Sequence, residues 1–292
     1  MNANGRQETP GVSRAATREW VENAAPTGRW SSLRISDVWR HHELIYFFAL
    51  RDLKVRYKQA FLGAAWAILQ PLAGAIAFTI LFNGLAGIEI EARSYFGFAL
   101  VGFVVWTYLS TGISDGSMSL LANAELITKV PFPKVVAPIA ALVPGLVDLV
   151  LGVVIAIGYS IVFSQGATPV NLALGLMSGT ALLIATAAGP ALALSALIVK
   201  YRDARVLVSF GLQLLLFISP IAFPPELVAD RWQTVQYANP IAGCLGLYRF
   251  ALIGTPLPST MQLMLSVTVA LIFLGGGLAH FRHNERQFAD II

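Results

Sequence analysis

KVVAPIAALVPGLVDLVLGVVIAIGYSIVFSQGATPVNLALGLMSGTALLIATAAGPALALSALIVK, residues Lys134 to Lys200, holds one charged side chain between its terminal lysines, Asp148. A helix crossing the hydrocarbon of a bilayer needs about 20 mostly apolar residues at about 1.5 Å each. The stretch is too long for one crossing and long enough for two. The run Ser164-Gln165-Gly166-Ala167-Thr168-Pro169-Val170-Asn171 breaks it, so spans are predicted at 135–163 and 172–198. The same reading of charge-free gaps works outward. Lys58 to Glu89 gives a span at 62–87, Arg93 to Asp115 one at 95–120, and Arg205 to Glu226 one at 206–224. The run after Pro258 gives a sixth at 260–280. Trp232–Tyr248 is uncharged but short, is interrupted by Asn239-Pro240 and is followed by Arg249 and the turn Gly254-Thr255-Pro256. A re-entrant pair of short helices is expected there, tolerated at depth where protein or water covers the freed backbone.

Composition agrees. The chain has 292 residues, 56% hydrophobic and only 12% charged, against about 25% charged in soluble domains. The expected fold is an all-α membrane protein of six transmembrane helices over residues 41–292, preceded by a polar, poorly ordered segment at 1–40 without a cleavable signal pattern. Cys244 is the sole cysteine, which excludes an internal disulfide or a multi-cysteine metal site. The four histidines, His41, His42, His280 and His283, lie near the ends of the apolar region.

The basic residues are asymmetric. In the six-span arrangement, seventeen Lys and Arg fall on one side, and Arg93, Arg231 and Arg249 on the other. The positive-inside rule makes the first side cytoplasmic and puts both termini there. A seventh crossing would send Arg282 and Arg286 outside. The high pI, near 9.3, then reflects topology and lipid headgroups rather than nucleic acid.

Before the first span, Glu43–Phe61 reads as an amphipathic helix at the membrane surface (interface helix 43–60). At 100° per residue, Tyr46, Leu50, Leu53, Tyr57 and Phe61 form a strip about 80° wide. Arg51, Lys54 and Lys58 border it, and Asp52, Arg56 and Gln59 lie on the opposite half. The apolar strip suits lipid, with basic stems reaching headgroups, and the polar half is open to a cytoplasmic partner. Between the second and third spans, Asn123 is placed to cap a short helix whose first turn holds Glu125, and Pro131 and Pro133 stop it. A short, rigid, partly apolar cytoplasmic helix there suits a lever for a separate motor.

Several segments together resemble one family. Arg51-Asp52-Leu53-Lys54-Val55-Arg56-Tyr57-Lys58, then Leu62-Gly63, Trp66 and Leu69-Gln70-Pro71, resembles the approach to the first span of polysaccharide-exporting type 2 ABC transporter permeases. Asn123 to Pro133 looks like their coupling helix. Tyr201-Arg202-Asp203 with Ser219-Pro220-Ile221 and Phe223, Asn239-Pro240 with Tyr248-Arg249, and Phe288-Ala289-Asp290 are similar to their later junctions, external gate helices and tail. The resemblance runs from about residue 40 to the C-terminus. It implies export of a lipid-linked polysaccharide (O-antigen, teichoic acid or a similar glycan) across the cytoplasmic (inner) membrane. It also implies a homodimer of six-span subunits with two ATP-binding cassette subunits as partners. The sequence has no Gly-x-x-x-x-Gly-Lys-Ser/Thr phosphate loop, so no cofactor is expected on this chain. ATP and Mg are expected on the partner ATPase, and this chain is not expected to be an enzyme.

The resemblance implies that Glu125, Leu126, Ile127 and Lys129 insert into the ATPase, with Arg51, Lys54 and Arg56 adding to that contact or to headgroup binding and Arg202 on the same side. It implies a channel between two subunits lined by spans 1, 2 and 5. Sugars stack on aromatic faces, so Trp66, Phe103, Trp106 and Tyr108 are the leading lining candidates, with Phe78, Phe82 and Phe98 behind them; ordinary packing is the competing role. Asp148, a carboxylate inside a span, is either a structural hydrogen-bonding group or part of transport. Gly175 and Gly179 allow a close helix contact. The alternatives are a type 2 ABC permease for a drug or lipid, an ion-coupled secondary transporter, which would need more intramembrane acids, and a membrane glycosyltransferase, for which Glu89 and Glu91 are too isolated.

Overall fold

Proline and polar breaks in an otherwise apolar chain set the helix boundaries. In a computed structural model of the protein, the described residues are 41–58, 63–85, 95–130, 132–163, 168–221, 223, 230–285 and 288. They form eleven helices and no strand. These are α1 (His42–Lys58), α2 (Ala65–Phe78, running on as a π-helical segment over Thr79–Leu85), α3 (Tyr95–Ala122) and α4 (Ala124–Lys129). Then come α5 (Val136–Ala140), α6 (Val143–Val162), α7 (Pro169–Lys200) and α8 (Ala204–Ile218). The chain closes with α9 (Asp230–Ala238), α10 (Pro240–Ile253) and α11 (Thr260–Asn284). The described residues lie in one compact unit. The predicted segment 1–40, together with Gln59, Phe61, Leu62, Glu89, Glu91, Arg93, Pro131, Glu226, Arg286 and Asp290, lies outside the described residues.

Five segments are long and apolar enough to cross a membrane: Ala65–Gly84, Tyr95–Ala122, Val136–Val162, Pro169–Lys200 and Thr260–Asn284. They coincide with five of the six predicted spans. The predicted 135–163 span is two helices rather than one. Pro144 stands at the start of α6, where it cannot donate to the carbonyl one turn back, and Ala141 and Leu142 form the joint. The sixth, α8, is shorter than the predicted 206–224. Its 15 residues extend about 22 Å, because Pro220 ends it.

The short helix leaves polar groups at its end to satisfy, and α9 and α10, in the stretch expected to hold a re-entrant pair, supply partners for them. Gln236 donates to the Ile218 carbonyl (3.0 Å), Asn239 to the Ser219 hydroxyl (3.0 Å) and Arg249 to the Ile221 carbonyl (2.7 Å). Asn239 also caps α10, its side chain accepting from the Ile241 N–H at 3.0 Å. Arg249, read from sequence as an external charge, is buried, and its guanidinium lies 3.4 Å from the Phe98 ring centroid. Arg249→Met is therefore expected to leave the Ile221 carbonyl without this donor and cost about 1–3 kcal/mol. The thermal midpoint of the purified protein reads this, and Arg249→Lys should recover part of it; an unchanged midpoint in Arg249→Met would remove the bond from the account.

α7 is the central helix, packed against α11, α3 and α10. The Gly175/Gly179 pair does permit close contact, and its partner is the re-entrant α10. A Cβ at Gly175 would stand 2.7 Å from that of Ala251, and one at Gly179 would stand 2.9 Å from the Tyr248 ring. The Tyr248 hydroxyl is hydrogen-bonded to Thr180 at 2.6 Å.

Candidate functional site

The coupling-helix and interface-helix residues singled out from sequence gather at the end of the bundle that carries α1, α4, the Tyr201–Asp203 turn and the last turn of α11. Two structures are built there: a charged joint and an outward-facing short helix.

The joint explains why α1 sits where it does. Its face made by Phe48 and Ala49 is buried, and Phe48 packs with Val136, Ala140 and Phe132, its ring 5.6 Å from that of Phe132. Asp52 and Arg56 share this inward half, while Tyr46, Phe47 and Val55 are exposed. The polar half of α1, expected to face a cytoplasmic partner, thus turns inward. The reason is Asp148, on α6 with its side chain only 11% exposed, and Asp115 on α3. Arg56 Nη1 donates to Asp148 Oδ2 at 2.5 Å, Arg56 Nη2 donates to Asp115, and the Tyr57 hydroxyl donates to the other Asp148 oxygen. The buried Asp148 carboxylate requires a countercharge, and one planar guanidinium serves both it and the more exposed Asp115. Burial first, and then the Asp148 carboxylate, push the Tyr57 hydroxyl up to about 12, so it stays a donor. The joint ties three segments far apart in sequence: α1, α3 and α6.

Beyond the joint, Arg51 bonds Asp52 at 2.7 Å and lies 5.2 Å from the Phe48 ring centroid. Lys54 is exposed.

The short helix α4 is held from behind. Ile127, expected to insert into a partner, is instead 6% exposed and packs with Leu120, Val135, Val199, Phe281 and Phe288. An apolar side chain on the inner side of a one-turn helix is what fixes so short a helix to its base. Asn123 does not cap α4 with its side chain. That amide donates back to the Ser119 carbonyl at 2.7 Å, closing the end of α3, while the Asn123 carbonyl accepts from Leu126 and Ile127 N–H, both at 3.0 Å. The C-terminal tail braces the base. Glu285 accepts from the Lys134 N–H (3.1 Å) and from Arg282 (2.9 Å), and Lys134 Nζ donates to the Glu285 carbonyl (3.2 Å). Phe281 and Phe288 meet edge to face at 5.3 Å. Facing out are Glu125 and Lys129, with side chains 88% and 72% exposed and 3.4 Å apart, together with Leu126 and Val130. Arg202 is exposed on the neighbouring turn.

The lining candidates divide differently. Trp66 is 55% exposed on α2. Phe103, Trp106 and Tyr108 are buried within the subunit and so do not present a face to a second copy. Gly74 accounts for Phe103: a Cβ there would stand 2.5 Å from that ring, so the missing side chain makes its slot. Phe78 packs on Phe103 at 5.1 Å and on Phe82 at 5.5 Å. These rings serve α2–α3 packing. Sequence reasoning missed the joint. Its signal was the pairing of Asp115 and Asp148 inside apolar spans, which demanded a cation.

No group of three or more metal-binding side chains occurs among the described residues. Residues 43–253 match the family model of the ABC-2 type transporter. The chain is 26% identical to an O-antigen export system permease protein RfbA of Myxococcus xanthus over 266 residues, 88% of this chain and 98% of that protein. It is 26% identical to a protein of the same name from Klebsiella pneumoniae over 255 residues, 86% and 95% of the two chains. A second Klebsiella pneumoniae protein of that name is 24% identical over 254 residues.

Proposed function

This chain belongs to the ABC-2 type transporter family, and on that premise we propose that it is the transmembrane subunit of an exporter of lipid-linked polysaccharide. The observation that carries the reading is the near-complete coverage of relatives named as O-antigen export permeases. The α4 geometry supports it: a small exposed surface, Glu125, Leu126, Lys129 and Val130, on a base fixed by Ile127, Phe281 and Phe288. A surface that must pass on a mechanical stroke has to be rigid behind and open in front. On this reading the basic end is cytoplasmic, the protein resides in the inner membrane as a homodimer, and two separate ATPase subunits carry ATP and Mg and dock on α4 beside Lys54 and Arg202.

Co-expression with an ATP-binding cassette subunit should give a stable complex whose hydrolysis depends on this subunit; failure to form one would sink the reading. Glu125→Ala with Lys129→Ala is expected to reduce export severalfold while assembly persists. Their own ion pair is solvent-exposed and contributes at most about 0.5 kcal/mol to the fold, so loss of export reports lost docking. Unchanged surface glycan, assayed by lectin or antibody, would remove both residues from the interface.

A further inference from the structure

Between α3 and α8, Ser114, Ser117 and Met118 face Arg205, Val206, Val208 and Ser209 across a cavity of about 330 Å³. It lies about one to two turns from the end of α3 at Ala122, roughly 6–12 Å along the helix. Arg51, Arg56 and Arg282 each hold a carboxylate; the Arg205 guanidinium pairs with none among the described residues. The surrounding turn carries Lys200, Arg202 and Arg205 against the single acid Asp203. The nearest acid on α3, Asp115, follows Ser114 directly but is held by Arg56 on the α1 side. The Ser114 hydroxyl has no hydrogen bond among the described residues, and the Ser209 hydroxyl makes only a long one, 3.3 Å, to the Arg205 carbonyl. Ser117 is buried and bonds the Ser114 carbonyl at 2.7 Å. Val206, Leu207 and Phe210 continue from the cavity as an exposed apolar face of α8.

We propose that this cavity binds the phosphate or diphosphate headgroup of a lipid, whose chain lies along the apolar face of α8. A guanidinium fork offers paired donors to an oxyanion. Hydroxyls converging from two helices suit a tetrahedral group with several oxygens better than a flat carboxylate, and the adjoining apolar face suits a hydrocarbon tail. Resting on the function proposed above, this is where the headgroup of the lipid-linked cargo is held at the membrane edge. Resident phospholipid offers the same chemistry, and the two sources are separable.

The full chain in phosphatidylcholine nanodiscs is titrated with farnesyl diphosphate, farnesol and dioleoyl phosphatidic acid, with inorganic pyrophosphate as competitor. Farnesyl diphosphate is expected to bind saturably, pyrophosphate to displace it, and farnesol to bind at least tenfold less tightly. Arg205→Gln should weaken farnesyl diphosphate about tenfold or more, as loss of a charge-assisted pair does, with Arg205→Lys in between. Arg205 is exposed, so the thermal midpoint should hold. Ser114→Ala combined with Ser209→Ala should weaken binding further. Equal, Arg205-dependent affinity for phosphatidic acid supports the site and makes phospholipid its occupant; a preference for the diphosphate makes it the cargo's. Affinity for both lipids unchanged in Arg205→Gln overturns the proposal. Arg205-dependent binding in a protein that exports no glycan would leave this site standing and overturn the function instead.

Discussion

Arg56→Ala is expected to abolish export and to lower the thermal midpoint of the purified protein by about 5 °C. The substitution leaves Asp148 and Asp115 facing each other's charge without the guanidinium that both accept from. Removing one partner of a buried ion pair costs about 3–5 kcal/mol. Here Arg56 and Asp115 keep side-chain exposures of 28% and 44%, so screening reduces the figure to about 2 kcal/mol. For a chain of this size each kcal/mol moves the midpoint by about 2–4 °C. Transport should suffer more than stability, because the same contact fixes α1 against α3 and α6. Arg56→Lys cannot form the two-pronged contact and should fall between. Exchanging the charges, Arg56→Asp with Asp148→Arg, should recover part of the midpoint, since Asp148 is the less exposed partner. A midpoint and an export rate both unmoved in Arg56→Ala would show that the joint holds nothing.

The joint also marks the limit of what the sequence discloses. Five of the six predicted spans, the two short helices after α8 and the exposed α4 were readable because each depends on local properties: charge-free length, a proline, a polar break. The pairing of Arg56 with Asp148 joins residues 92 apart in the chain. On α1 alone, Asp52 and Arg56 look like a wetted face, since helical periodicity separates polar from apolar but does not say whether a polar stripe meets water or another polar group. Intramembrane carboxylates break that tie: Asp115 and Asp148 are intelligible only with a cation between them. The aromatics failed for a related reason. Composition does not separate a ring that lines a passage from one that fills a slot, and the glycine that makes the Phe103 slot, Gly74, sits on a different helix. The same holds for Ile127, whose burial depends on Phe281 and Phe288 from the far end of the chain.

Three consecutive glycines on α11 give the sharpest test of the packing. Gly275, Gly276 and Gly277 are equivalent by composition, yet they face different surroundings. A Cβ on Gly275 or Gly276 would meet nothing within 4 Å. At Gly277 it would overlap the carbonyl oxygen of Gly189 on α7. The reciprocal site is as tight: a Cβ on Gly189 would stand 2.6 Å from the Phe273 carbonyl carbon and 2.7 Å from the Leu274 nitrogen. Both obstacles are backbone, so no rotamer change relieves the clash and the two helices must separate. α7 and α11 form the most extensive helix pair among the described residues, and moving them apart by even 1 Å forfeits much of the dispersion attraction along the seam. Lipid offers no hydrophobic compensation for this, because helix association in a bilayer depends on such close packing. Gly277→Ala is therefore expected to cost about 3 kcal/mol or more, lowering the midpoint by about 10 °C, and Gly277→Leu should prevent accumulation of folded protein. Gly275→Ala and Gly276→Ala should be neutral or slightly stabilising, by up to about 1 kcal/mol, since alanine restricts the unfolded chain. Midpoints from the three single variants, measured under one condition, decide the matter. Equal values across the three would mean that α11 does not cross α7 at Gly277.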